Sequence, residues 1–232
     1  MDGFLLIDKP KGWTSFDVVK KIRNLSGVRK VGHSGTLDPL ATGLLIVALG
    51  KATKLLTGLI GLDKGYEVLA HFGAVSDTYD AEGKISVVDG GSLDNCTESS
   101  IKKIISENFI GEFDQVPPQY SAKKVSGRKA CDIARSGGSV ELKSKKIRVD
   151  SFDIVDFKKP SVKFSVKCGS GTYVRSLVHD LGKMLGCGAY VEELRRIKVG
   201  EFNVDKAVQI TDLLNKNIEQ YMISMDARFG SF

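Results

Sequence analysis

Cysteine is scarce in this chain and widely spaced. Cys96, Cys131, Cys168 and Cys187 are four among 232 residues, and no two form a C-x-x-C pair. In a chain of this length without a secretion signal, that spacing argues against a disulfide framework. The start, Met1-Asp2-Gly3, runs into a short apolar stretch and lacks the basic opening and long apolar core of a signal peptide. No apolar run approaches the about 20 residues of a membrane-spanning helix. Internal repeats and low-complexity linkers are also missing. These absences together read as a reduced, cytoplasmic protein. Strands and helices interleave without regular βαβ spacing, which favours an α+β domain over a doubly wound one.

What is present is an ordinary globular composition, 42% apolar and 27% charged, enough for one large domain or one domain with a small insert. The net charge of +6 favours an anionic partner without requiring one. Its distribution says more than the sum. Lys20, Lys21, Arg23, Arg29 and Lys30 cluster early, and Lys123, Lys124, Arg128, Lys129, Arg135, Lys143, Lys145, Lys146 and Arg148 cluster in the middle. Two basic clusters flanking one glycine-rich loop point to a phosphate backbone.

Phe4 to Ile7 reads as a short strand, closed by a turn from Asp8 to Gly12. Thr14 with Asp17 three residues later has the pattern of a capping box. Val18, Ile22 and Leu25 then form an apolar stripe, and Gly27 is a natural stop. Leu44 to Leu49 reads as a buried strand, although so short an apolar run does not by itself exclude a helix. Residues 65–73 predict another strand, and Asp77 to Gly83 a turn-rich acidic loop. A second capped helix is expected from Thr97, with Ile101, Ile104, Ile105 and Phe109 at helical spacing. Residues 117–148 change character: a Pro-Pro entry leads into a polar, basic segment that fits a projecting insert. Two strands follow, the second with Val162, Phe164, Val166 and Cys168 alternating with polar residues. Gly169 to Thr172 then opens a helix carrying Val174, Leu177, Val178, Leu181 and Leu185.

The densest segment is Gly32-His33-Ser34-Gly35-Thr36-Leu37-Asp38-Pro39-Leu40-Ala41-Thr42-Gly43, one carboxylate, one histidine and three glycines just before an apolar run. So much glycine lets backbone approach another group closely. Asp-Pro on its own is a turn device. As a block of twelve, however, the segment resembles the catalytic-aspartate motif of TruB-type pseudouridine synthases, which isomerise a uridine in the T-loop of transfer RNA. Further resemblances run in order along the chain: Lys9-Pro10 with Gly12 to Ser15, Thr78 to Gly83, Tyr120 to Lys124, Gly171 to Arg175, and Leu194-Arg195-Arg196.

The resemblance implies a pseudouridine synthase fold: α+β, with a mixed, mostly antiparallel central sheet, flanking helices and a thumb insert at about 117–148 that closes over RNA. It implies modification of uridine 55 in the T-arm of tRNA by a monomer that needs no cofactor, metal or membrane. Asp38 is then the nucleophile, acting at C6 or C1′ of a flipped-out uridine or promoting loss of the C2′ proton. A carboxylate kept ionised away from water needs a fixed cation, and arginine suits because it keeps its proton. The implied partner is Arg175. Tyr66 is implied to stack on the base and to take part in removing the C5 proton. His33 is implied to fill the space the uridine vacates; no cysteine or second histidine is spaced to make it a metal ligand. Lys9, Gly35, Thr36, Asp80, Tyr120, Lys123, Tyr173 and Leu194 complete the implied substrate-binding set.

Relatives of this kind usually continue into a small RNA-binding domain of the PUA type. Here the chain stops soon after Leu214, so a single catalytic domain over 1–232 without a PUA domain is expected. A reading of another class is an RNA-binding or RNA-folding module without turnover, but such a binder has no use for a carboxylate facing phosphates. A nucleotide-phosphate enzyme built on Gly50-Lys51-Ala52-Thr53 fails by spacing, because Ala52 stands where a P-loop needs Ser or Thr.

Overall fold

The computed structural model describes residues 1–121, 123–125, 127–138, 140–214 and 217–225. Ala122 of the Tyr120–Lys124 motif and the end of the tail, 226–232, lie outside the described residues. The chain opens with β1 (Gly3–Lys9), α1 (Ser15–Ser26), β2 (Val31–His33), β3 (Thr42–Leu49), α2 (Leu56–Gly61) and β4 (Lys64–Phe72). Next come β5 (Ala74–Ser76), β6 (Ile85–Val87), α3 (Glu98–Asn108), β7 (Gly111–Gln115), β8 (Lys124–Val125), β9 (Arg128–Lys129) and α4 (Ala130–Arg135). It closes with β10 (Lys145–Lys158), β11 (Ser161–Cys168), α5 (Val174–Leu185), β12 (Ala189–Val199), β13 (Phe202–Asn203) and β14 (Val208–Gln209).

Local chemistry accounts for the helices. The Thr14 side chain accepts from the Asp17 N–H at 3.0 Å and the Asp17 carboxylate accepts from the Thr14 N–H at 2.9 Å, the two halves of a capping box. Gly27 closes α1 in the left-handed region at φ 67, where a side chain is disfavoured. Val18, Val19 and Ile22 bury the apolar stripe. Thr97 caps α3 in the same manner, and Ile101 and Ile105 face inward.

The chain divides into two compact units: Met1–Glu67 with the described residues from Leu194 onward, and Val68–Glu193. In the first unit β3 lies between β1, antiparallel, and β12, parallel, with β14 parallel on the outer edge of β1. Leu44 to Leu49 is apolar throughout because β3 is covered on both faces. Phe4, Leu6, Leu44, Ile46, Ala48, Ala52, Leu59 and Val199 form its core. In the second unit β10 is flanked by β11 and β7, both antiparallel. Phe109 at the end of α3 meets Phe152 of β10 edge-on with ring centres 6.3 Å apart, and Phe152 meets Phe164 of β11 at 4.9 Å. The pairings are thus mixed but mostly antiparallel, with helices alongside, as the α+β expectation required. Among the described residues no helix is long and apolar enough to cross a membrane.

Residues 145–148 differ from the sequence reading. They were expected within the projecting insert, but they open β10 and pair with β7, Lys145 opposite Gln115 and Arg148 opposite Glu112. Ile147 and Val149 are buried while Lys145, Lys146 and Arg148 are exposed. A run of positive charge on the solvent face had masked a period-two strand.

Gly43 pairs with Arg196 across β3 and β12 at φ 98, and an added Cβ would fall on the Arg196 carbonyl oxygen. The left-handed backbone alone costs a side chain about 1–3 kcal/mol, and the overlap adds to it. Gly43→Ala is expected to lower the unfolding free energy by at least that much in urea titration. A loss within about 0.5 kcal/mol, the usual surface range, would show that this crossing tolerates a side chain.

Candidate active site

Asp38 sits in the loop between β2 and β3, partly buried between Leu37 and Leu40, which are each 4% exposed. Its backbone is held at several points. Ser15, buried at the start of α1, accepts from the Leu37 N–H at 2.8 Å and donates to the Leu37 carbonyl at 3.0 Å. On the other side of Asp38, the Pro39 carbonyl accepts from the Gly12 N–H at 2.8 Å and from Lys9 Nζ at 3.4 Å. Lys9 is fully buried and also donates to the carbonyls of Pro10 and Trp13. In the free protein, then, its ammonium binds the 10–13 turn to the Asp38 loop. Upstream, the Gly35 N–H donates to His33 Nδ1 at 3.3 Å. Burial pushes the His33 pKa below its ordinary value, and the Arg196 guanidinium pushes it further. Thr36 is exposed.

Tyr66 lies on β4 in the same unit and is 9% exposed; Leu194 on β12 is 7% exposed. Two residues beyond Leu194, Arg196 is 1% exposed and reaches back to the loop. Its Nε donates to the Leu44 carbonyl at 2.8 Å and its Nη2 to the Gly35 carbonyl at 3.2 Å. The sequence reading took the leucine of Leu194-Arg195-Arg196 for the site and passed over Arg196. A tandem arginine on a strand was the available signal, but either arginine could equally have faced water. Arg195 next to it makes a bidentate pair with Asp8, at 3.0 and 2.7 Å.

In the second unit Arg175, in the first turn of α5, is 4% exposed. Its Nη1 lies 3.2 Å from Asp80 Oδ2 and donates to the Thr78 carbonyl at 2.6 Å, while Nη2 donates to the Tyr120 carbonyl at 2.9 Å. The Asp80 carboxylate also accepts from the Thr78 hydroxyl at 2.6 Å and from the Glu82 N–H at 3.1 Å. Tyr79 between them takes φ 65, a rare conformation for a residue with a side chain, and stacks on His179 with ring centres 3.7 Å apart. That turn aims a carbonyl and a carboxylate at one guanidinium. Gln115, absent from the sequence reading, holds Tyr173 at both backbone groups: Oε1 accepts from its N–H at 2.8 Å and Nε2 donates to its carbonyl at 3.0 Å. Lys123 Nζ donates to the Lys143 carbonyl at 2.9 Å. The structure thus groups Lys9, His33, Gly35, Thr36, Asp38, Tyr66 and Leu194 in one unit, and Asp80, Tyr120, Lys123, Tyr173 and Arg175 in the other.

Solved structures similar to this chain include a Cbf5-Nop10-Gar1 complex, 31% identical with a TM-score of 0.69 over 90% of this chain and 53% of that one. Another is an H/ACA RNP bound to a substrate RNA containing 2'-deoxyuridine, 29% identical with a TM-score of 0.66 over 90% of this chain and 51% of that one. This chain therefore spans about half the length of those proteins. The fold is that of the pseudouridine synthases, isomerases of uridine. Residues 23–174 match the N-terminal domain of the TruB family of pseudouridylate synthases, and 175–225 match the tRNA pseudouridylate synthase B C-terminal domain. The chain belongs to the TruB family. Relatives include tRNA pseudouridine synthase B of Aquifex aeolicus, 46% identical over 99% of this chain and 79% of that protein. The enzyme of the same name from Chlamydia abortus is 43% identical over 95% of this chain and 93% of its own.

Two outcomes test these environments. Asp80→Ala takes a buried carboxylate away from the Arg175 guanidinium, a change that costs about 3–5 kcal/mol when a buried pair loses one member. Urea unfolding is expected to register a loss of that order, and an unchanged midpoint would mean that Asp80 adds nothing to the hold on Arg175. For His33, the folded pKa lies below the unfolded value of about 6.5. Its contribution to stability is therefore complete above that value and declines as pH falls toward the folded pKa, because the unfolded chain takes the proton first. His33→Gln is expected to lose less stability than the parent between about pH 7 and 5. His179, depressed by burial and then by Lys183, still contributes a slope of the same sign in the variant. Parallel curves for parent and variant would contradict the assignment.

Proposed function

We propose that this chain isomerises uridine to pseudouridine at position 55 in the T-loop of tRNA, with Asp38 as the nucleophile on a flipped-out uridine. The observation that carries the reading is the Asp38 loop itself. Asp38 is partly buried while the backbone on either side is gripped by Ser15, Lys9, Gly12 and Arg196. A loop used only as a turn has no need of four separate anchors, whereas a nucleophile gains from being held before the substrate arrives. The relatives' name, tRNA pseudouridine synthase B, supports tRNA as the substrate.

In this reading Asp38, Tyr66 and Arg175 are the catalytic set. Breaking the bond from C1′ to N1, turning the uracil and rejoining at C5 changes no oxidation state, so no cofactor or metal is required. Tyr66 stacks on the base, an interaction worth about 1–3 kcal/mol, and accepts the C5 proton. His33 occupies the space left by extrusion, which costs a few kcal/mol and least for a base already in a loop. Lys9, Gly35 and Thr36 shape the nucleoside pocket, with Leu194 beside the base. Asp80 and Tyr120 serve through Arg175, which they hold. Tyr173 and Lys123 face the RNA from the start of α5 and from the thumb over about 117–148. Lys20, Arg29, Lys30, Arg128, Lys143, Lys145 and Lys146 are exposed and available to phosphates of the T-arm. The enzyme acts as a cytoplasmic monomer.

Asp38→Asn is expected to bind tRNA within about twofold of the parent and to form no pseudouridine, as read by mass mapping of the incubated tRNA. Residual turnover in that variant would remove the nucleophile assignment. Modification outside the T-loop by the parent would remove the specificity. A tRNA-folding effect that survives Asp38→Asn unchanged would favour the binding-module reading.

A further inference from the structure

Trp13 is the single tryptophan of the chain, and it lines two adjoining hollows in the first unit. One, of about 400 Å³, runs along α1 and is lined by Gly12, Trp13, Asp17, Lys20, Lys21 and Asn24. The other, of about 450 Å³, shares Trp13 and Lys21 and reaches Thr42 of β3, Arg195 of β12 and Leu214. In the site described above Trp13 contributes only its backbone carbonyl, which accepts from Lys9. Its side chain has no task there. Phe16, three residues on, is 62% exposed, and Leu214 in the second hollow is 47% exposed. Large apolar side chains left in water around a hollow mark a surface that a partner covers.

The charges of the hollows identify that partner. Asp8 is taken up by its bidentate pair with Arg195, and Asp17 by the Thr14 cap. Lys20 and Lys21 form no ion pair among the described residues, which leaves two uncommitted positive charges beside an indole. The fitting partner brings negative charge and a flat apolar face together, as an unpaired nucleotide does. An acidic peptide brings the charge without the face. Gly12, on the rim of the first hollow, donates to the Pro39 carbonyl at 2.8 Å, one residue from Asp38. A strand that presents a uridine to Asp38 carries its next nucleotides within reach of this rim.

We propose that the hollow around Trp13 is a second nucleotide subsite. There an unpaired base of the RNA, other than the reacting uridine, stacks on the indole while Lys20 and Lys21 hold its phosphates. The inference rests on the function proposed above and adds where the substrate's neighbouring nucleotides are received. Stacking on an aromatic ring accepts any base, because every base has a flat face. Asn24, exposed at the far end of the hollow, supplies an amide able to meet a base edge or a phosphate. The subsite adds affinity and register to an RNA whose chemistry happens at Asp38.

Because Trp13 is the only tryptophan, its fluorescence reports these hollows alone. The parent protein is titrated with a T-arm stem-loop RNA, with a fully paired RNA duplex of the same length, and with poly-glutamate. The stem-loop is expected to quench the emission along its binding curve, whereas the duplex and poly-glutamate leave it unchanged. Trp13→Leu is expected to weaken stem-loop binding about fivefold or more, the loss of one stacked base. Trp13→Phe, which keeps a ring, should weaken it less. Lys20→Gln and Lys21→Gln should each reduce the slope of log affinity against log salt by about one, a change that a purely structural helix face would not produce. Stem-loop binding that leaves the emission unchanged would overturn the inference, as would equal quenching by the duplex or by poly-glutamate. Should Trp13→Leu fail to fold, the titration of the parent decides alone. A parent whose emission is quenched but which forms no pseudouridine would sink the proposed function and keep the subsite.

Discussion

A positive charge withdrawn from water must be met by oxygen atoms, and that requirement organises this protein. Among the described residues Lys9, Lys64, Arg175 and Arg196 are its buried cations. Backbone carbonyls meet each of them: those of Pro10, Trp13 and Pro39 for Lys9, Ile60 and Leu62 for Lys64, Thr78 and Tyr120 for Arg175, Gly35 and Leu44 for Arg196. Most of these carbonyls belong to loops or strand ends. A buried ammonium or guanidinium that gathers several of them acts as a cross-link where no regular ladder exists.

The loops tied down in this way carry the residues to which chemistry is assigned. Lys9 and Arg196 grip the Asp38 loop on either side of the carboxylate, and Arg175 grips the Thr78–Asp80 turn. Such anchoring means that little reorganisation remains when a nucleoside arrives, which is how preorganised sites reduce activation barriers. It also separates two uses of positive charge. The interior cations build loops, while Lys20 of α1, Arg128 of β9, Lys143, and Lys145, Lys146 and Arg148 of β10 stay on the surface. With 34 lysines and arginines against 28 acids, taking four cations into the interior leaves the surface excess smaller than the formal charge states.

The Arg175–Asp80 pair illustrates a different economy. Asp80 lies in a turn that places Tyr79 at φ 65, a strained conformation stabilised by stacking on His179 and by hydrogen bonds from the Ala81 N–H to Val191 and from the Val191 N–H to Tyr79. The turn motif was legible as a motif. Its physical purpose, to aim a carbonyl and a carboxylate at one guanidinium, appears only with the coordinates.

Several features were determined by sequence alone because their causes are local. Thr14 and Asp17 cap α1 and Gly27 ends it; Val162 to Cys168 alternates with the pleat of β11; and the twelve-residue block around Asp38 identifies the loop by its letters. Where a charged stripe lay over a strand, as at Lys145 to Arg148, the local signal misled. Tertiary structure alone decided which cations are interior and what they hold. Arg196 meets Gly35 across 161 positions, and it meets a carbonyl oxygen. Every residue carries such an oxygen, so no choice of amino acid records the contact, and only the folded path of the chain brings that one oxygen to that one guanidinium.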